Sequence, residues 1–114
     1  MIDETTHVIA AALNGLSARQ RVIADNLANL ETPGYLAGQV SFEDELRAAV
    51  SRGTGSGDVT PRRSESSAAT NTNGNNVRVD DEVVALTETG LRYQLMVEAM
   101  NSKLRILRTA IGGR

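Results

Sequence analysis

VDDEVVALTETGLRYQLMVEAMNSKLRILRTAI, residues 79–111, reads as one unbroken helical pattern. Val79, Val83, Leu86, Gly90, Tyr93, Val97, Met100, Leu104, Leu107 and Ile111 recur at alternating spacings of four and three, the heptad seam of a helix that pairs with another helix. Acids cluster at 80–82 and bases at 103, 105 and 108, which complements the macrodipole at both ends. Asp80 suits an N-cap, Val79 could staple onto Val84, and Gly112-Gly113 closes the segment. A helix from about 81 to 111 would be roughly 46 Å long at 1.5 Å per residue, far more than a compact domain of this size requires. Gly90 falls inside it, where glycine costs about 1 kcal/mol against alanine, so a close helix approach or a local bend is expected there.

The pairing partner stands at the other end of the chain. From Asp3 to Leu30, the residues Ile9, Leu13, Leu16, Gln20, Ile23, Leu27 and Leu30 keep the same four-three spacing with one polar member. Asp3 is the natural cap and Glu4 favours the first turn, while Pro33 pushes Thr32 towards extended backbone and ends the helix near Leu30. Each seam covers about two-sevenths of a helix surface, the width of coiled-coil pairing. A second apolar row on the C-terminal helix, Leu91, Leu95 and Ile106, is left over, and a neighbouring subunit is the cheapest cover for it.

Between the helices, SFEDELRAAV (41–50) predicts a short helix capped by Ser41, with Phe42, Leu46, Ala49 and Val50 as its apolar face. Residues 51–76 are rich in Gly, Ser, Thr and Asn, with almost nothing apolar, and alone in water should be disordered. The expected fold is all-α. Residues 1–32 and 77–114 form a paired terminal-helix domain, and 33–76 form a turn, the short helix and a flexible low-complexity insertion.

Composition narrows the function. The 114 residues suit one domain, 40% are hydrophobic but only 3% aromatic, and Phe42, Tyr35 and Tyr93 are the whole aromatic set, so small aliphatics on helix faces do the burying. A net charge of −2 without a basic block argues against nucleic acid. There is no cysteine for a disulfide or thiolate chemistry. The acidic start MIDETTHVIA lacks the basic and apolar regions of a signal peptide, and no apolar run approaches the roughly 20 residues of a membrane span.

Within ADNLANLETPGY (24–35), Asn26 and Asn29 share a helix face just before Thr32-Pro33-Gly34-Tyr35, a type II turn signature with Pro33 fixing φ and Gly34 supplying φ > 0. Two readings are compatible. The amides cap a helix end before a tight turn, or they bond to the backbone of a neighbouring subunit. Catalysis finds no footing. His7 is the only histidine and no second ligand type lies at metal spacing, so no metal site is expected, and one histidine in a flexible terminus does not make a Ser-His-Asp set. Acids 43–45 and 80–82 sit where first turns want negative charge, GTGSG lacks the lysine, strand and helix of a phosphate loop, and Arg62-Arg63 reads as solvated linker.

NLANLETPGY (26–35) resembles the asparagine-rich signature of bacterial flagellar axial proteins, the rod, hook and hook-associated families. FEDELRAAV (42–50), NGNNV (73–77) and LRYQLMVEAMNSKLRILRTAI (91–111) are similar to the proximal rod type within that group. The pattern departs at Asp25, where the signature usually carries asparagine, and at Gly90, where relatives more often have a bulkier polar residue. The resemblance implies terminal helices paired into an elongated domain and many copies stacked into the helical drive shaft that transmits torque across the periplasm. It also implies passage through the flagellar type III export apparatus without a cleaved signal peptide. Its expected partners are other copies, other rod subunits, and the proximal base of the motor, comprising the membrane-supramembrane ring and export gate. No nucleic acid, small-molecule substrate or cofactor is expected. Another axial subunit, or a small helical adaptor binding one partner through its C-terminal helix, is the competing expectation.

Overall fold

The structure, a computed structural model, describes residues 3–53 and 58–112. Helix α1 spans Glu4–Ala28, strand β1 Gly38–Ser41, helix α2 Glu43–Arg52, strand β2 Arg62–Glu65 and helix α3 Val79–Gly112. Two long helices in contact dominate, as expected, and the middle contributes a short helix and a small hairpin.

Local chemistry sets the helix ends. The Asp3 carboxylate accepts hydrogen bonds from the Thr6 backbone N–H and hydroxyl, both at 3.0 Å, so α1 starts where its cap predicts. It ends at Asn29, whose N–H reaches the Asp25 and Asn26 carbonyls, each at 3.1 Å. Helix α3 begins two residues earlier than its acids suggested. The Glu82 N–H already bonds the Arg78 carbonyl at 3.0 Å, which places Asp80 inside the first turn, where its carboxylate takes the Asp81 N–H instead of capping. Val79 and Val84 are both exposed, so the expected staple is absent. Gly112 is still helical, and Gly113 lies outside the described residues.

Ser41 does not cap α2, because it belongs to β1. The helix follows Phe42 without a side-chain cap and relies on the acids at 43–45 in its first turn. Phe42 and Ala49 are buried and Leu46 packs beside them, but Val50 is exposed.

The described part of 51–76 has defined structure, which differs from the disorder that its composition predicted; residues 54–57 lie outside the described residues. Strand β2 pairs antiparallel with β1, Gly38 opposite Glu65 and Ser41 opposite Arg62. Val59, Asn75 and Asn76 are buried. The order there comes from buried amide hydrogen bonds, to which a count of apolar residues is blind.

The core is small: Leu16, Phe42, Ala49 and Val59, flanked by Val40, Leu46, Tyr93 and Met96. It depends on Gly15, since a Cβ there would lie 2.5 Å from the Phe42 ring. The molecule measures 64 × 26 × 14 Å and its radius of gyration is 17.6 Å. A compact chain of this length would have about 13 Å, so the body is a rod rather than a globule.

The two long helices meet on a face rotated from the seam read in the sequence. Ile9, Leu16 and Ile23 of α1 are buried, and Leu13 and Leu27 are half-buried. On α3, Tyr93, Met100 and Leu107 are half-buried, but Val83, Leu104 and Ile111 are exposed; Glu82, Thr89, Met96 and Lys103 turn inward instead. These four recur every seven residues, one position ahead of the expected row. Polar anchors near both ends of the contact fix the rotation: the Asn26 amide donates to the Glu82 carboxylate at 3.1 Å, and Lys103 pairs with Asp3 at 2.6 Å. Helix α3 runs through Gly90 unbroken, and a Cβ at Gly90 would meet nothing within 4 Å, so no close approach occurs there within the chain.

Candidate assembly site: an asparagine lock and an uncovered helix

Asn26 sits on the buried face of α1 with 1% of its surface exposed, and every hydrogen-bonding position of its amide is filled. Nδ2 donates to the Gly38 carbonyl at 3.0 Å and to Glu82 Oε2 at 3.1 Å. Oδ1 accepts from the Gly38 N–H at 2.8 Å and from the Tyr35 hydroxyl at 3.4 Å. Gly38 faces away from β2 in the hairpin register, so this one side chain replaces the strand that β1 lacks on its outer edge. Arg19, seven residues earlier on α1, closes the same edge further along by donating to the Val40 carbonyl at 2.7 Å. Its guanidinium also bonds Glu43 Oε1 at 2.7 Å and lies 5.0 Å from the centre of the Phe42 ring. The hydrogen bond from Arg19 holds the Glu43 carboxyl below the usual carboxylate range, against the opposing effect of burial.

Asn29 behaves differently. Its amide donates to the Asp25 carbonyl at 2.8 Å and accepts from the Thr32 hydroxyl at 2.9 Å, a local cap on the end of α1 in an exposed setting. The turn that follows has the expected form: Tyr35 N–H to the Thr32 carbonyl at 3.2 Å, Pro33 and then Gly34 at φ +75°. Of the two readings of this pair, the geometry thus uses both amides inside the chain.

The turn is clamped from the far side of the sequence. The Gly34 N–H bonds the Asn73 carbonyl at 2.9 Å, and Gly74, at φ +83°, lies so close that a Cβ on it would stand 3.3 Å from the Gly34 Cα. Asn75 is fully buried. Its Nδ2 donates to the Asn29 and Thr32 carbonyls at 2.8 and 2.9 Å, which satisfies acceptors at the end of α1, and its Oδ1 takes the Val77 N–H at 2.7 Å. Asn76 accepts from the Ala37 N–H at 2.6 Å and donates to the Ser66 and Ala68 carbonyls at 3.1 and 3.2 Å. Three buried asparagines therefore tie the end of α1, the turn, the hairpin and the approach to α3 into one unit. Arg63 completes it at the surface, donating to the Tyr35 hydroxyl at 3.2 Å and reaching Asp25 at 3.5 Å.

Asn75 and Asn76 were not among the candidate residues that the sequence offered. The signal was present in NGNNV, whose adjacent asparagines stand in a stretch otherwise read as low complexity. Gly15, Arg19 and Gly38 carried no signal, because each matters only through what packs against it.

The predicted helix-seam residues divide into covered and uncovered sets. Val79, Val83, Leu86, Leu104 and Ile111 form one exposed row on α3, with Gly90 and Val97 half-buried along it. Val84, Leu91, Leu95 and Ile106 form a second, each 63–65% exposed. Both rows on α3 thus lie without apolar cover from the described residues.

Comparison with known proteins agrees with this architecture. A family profile described as "Flagella basal body rod protein" matches residues 8–35, which take in most of α1 and the turn. The chain is 37% identical to the flagellar basal body rod protein FlgB of Bacillus subtilis, over 90% of this chain and 88% of that protein. Identity to the FlgB of Borreliella burgdorferi is 36%, over 74% and 78% of the two chains, and to that of Salmonella typhimurium 30%, over 90% and 88%. With the motif built into a buried lock and likeness running nearly end to end, the chain belongs to the FlgB family of flagellar basal body rod proteins, structural subunits rather than enzymes.

Proposed function

We propose that this chain is a proximal rod subunit whose copies pack with one another and with other rod subunits into the shaft that carries torque outward from the motor. The observation that carries this reading is the pairing of FlgB likeness with a 64 Å body whose longest helix leaves two apolar rows uncovered. A structural subunit needs a stiff body and several contact faces. The asparagine lock supplies the first, because it fixes the hairpin and the turn to the helix pair without a large core. The rows on α3 supply the second. The base of the motor, with its membrane-supramembrane ring and export gate, is the neighbour on the proximal side, and the type III export apparatus is the transient partner. No described helix is long and apolar enough to cross a membrane.

The test is complementation. A strain lacking this gene should be non-motile and should regain swimming with the wild-type copy. Leu91→Asp combined with Leu95→Asp should fail to restore it, with the subunit produced at normal levels but missing from purified basal bodies. Full swimming of that variant would overturn the reading.

A further inference from the structure

The two edges of the hairpin are finished differently. The Ser66 N–H donates to the Ala37 carbonyl at 2.8 Å, and that bond fixes the phase of the ladder. Hydrogen-bonded pairs then fall at Gln39–Ser64 and Ser41–Arg62, and the backbone groups of the residues between them point away from the partner strand. On β1 the outward residues are Gly38 and Val40. Asn26 takes both groups of Gly38, and Arg19 takes the Val40 carbonyl. On β2 the outward residues are Arg63 and Glu65. Their backbone N–H and C=O groups meet no partner among the described residues, and all four residues of the strand are exposed.

An open strand edge is a template for another strand, and folded chains usually blunt it. Here one edge is sealed by two side chains, and the other is limited only by Pro61, which has no N–H to offer at the next outward position. A second copy does not fit the open edge. Two β2 edges pair only about a two-fold axis through Ser64, with Arg63 opposite Glu65, and such a pair closes on itself with its bodies in opposed directions. A shaft of subunits that share one direction excludes it, so this step rests on the rod-subunit reading. Among the described residues the chain has no third strand to lend, and β1 is occupied on both edges. The occupant therefore comes from a different protein. Charge gives its pattern. Arg62 and Glu65 are exposed and make no ion pair among the described residues. An antiparallel strand answers both with a base opposite Glu65 and, three residues later, an acid opposite Arg62.

We propose that the outer edge of β2 receives an antiparallel strand from a different protein of the basal body, one that carries a base three residues before an acid. Main-chain hydrogen bonds at Arg63 and Glu65 hold the strand, and the two charges set its register. The sealed edge of β1 gives the hairpin a single open side, so one strand is added and the sheet stops at three.

The test separates backbone from side chain. Glu65→Pro removes one outward N–H and no bond of the hairpin, a change that strand edges accept. Glu65→Ala removes the side chain and keeps the N–H. The proline variant should keep the wild-type urea midpoint, yet be missing from purified basal bodies and fail to swim, whereas the alanine variant should swim. Full swimming of the proline variant would overturn the proposal. A second measurement does not depend on how that variant folds. In the wild-type chain, the Arg63 and Glu65 amides should exchange freely in the purified subunit and become protected in purified basal bodies. The Ser64 amide, paired with Gln39 in both, should not change. Arg63 and Glu65 amides that stay unprotected in the basal body would also overturn it. The chain contains no cysteine, so Ser64→Cys reads the competing occupant without background. In a β2–β2 pair the two introduced thiols would face each other across about 4.5 Å between Cα atoms, within disulfide range. Oxidised basal bodies should show no homodimer on a non-reducing gel, and a homodimer would make the occupant a second copy and overturn the proposal. Arg62→Glu with Glu65→Arg should reduce swimming, and unaltered swimming would overturn the charge pattern. Absence of the wild-type chain from basal bodies would instead overturn the rod-subunit reading.

Discussion

Asn26→Ala separates the two asparagines of the motif by their energetics. The substitution strips from Gly38, on the outer edge of β1, the Asn26 partner of both its N–H and its C=O, which have no other partner there among the described residues. Leaving a buried backbone group unsatisfied costs about 1–3 kcal/mol, so two would cost about 2–6 kcal/mol. An open groove of about 450 Å³, lined by Gly38, Gln39 and Ser41 of β1 and by Asp81 and Glu82 of α3, admits water beside the strand and pulls the cost towards the lower half of that range. Asn29→Ala removes one bond to the Asp25 carbonyl and one from the Thr32 hydroxyl, both exposed, where water replaces them for less than about 1 kcal/mol. Urea titration of the purified subunit, followed by circular dichroism, should show the Asn26→Ala midpoint lowered by at least about 1 M at a slope near 1–2 kcal/mol/M, and the Asn29→Ala midpoint nearly unmoved. Hydrogen exchange at the Gly38 amide should accelerate in the first variant alone. Equal midpoints, with Gly38 still protected, would refute the argument and return Asn26 to a purely inter-subunit role.

Gly15→Ala should destabilise the subunit by about 1–3 kcal/mol in the same titration, because the new methyl would stand 2.5 Å from the Phe42 ring in a core too small to absorb the shift. Gly90→Ala should do the opposite, raising stability by about 1 kcal/mol, since the methyl meets open space and the helix loses its weakest interior position. The Asp3 carboxyl is lowered to about 2, first by the hydrogen bond from Lys103 and then by the Thr6 backbone. A depressed folded pKa means that the added stability is present above the group's ordinary value of 3.8 and disappears as pH falls through about 2. The protection of the Thr6 amide, measured against its intrinsic exchange rate at each pH, should therefore fall between pH 4 and 2, and Asp3→Asn should abolish that change in protection.

The sequence by itself determined the two long helices, the Asp3 cap, the short helix, the Pro33-Gly34 turn and the family. Each rests on neighbours within one or two turns, or on a motif, and such signals survive without knowledge of the fold. Only the tertiary structure decided which face of α3 meets α1. Heptad spacing records apolar residues and cannot distinguish a face for a partner helix from a face for another subunit. Here the rotation follows from two polar anchors, Asn26 with Glu82 and Asp3 with Lys103, that join residues far apart in the chain. The order of the middle segment was hidden for a related reason. Asn75 and Asn76 look like low-complexity residues until the end of α1 and the hairpin bring carbonyls and N–H groups to their amides. A hydrogen bond is strong only where both partners are buried and aligned, and that condition belongs to the assembled fold, not to any residue read alone.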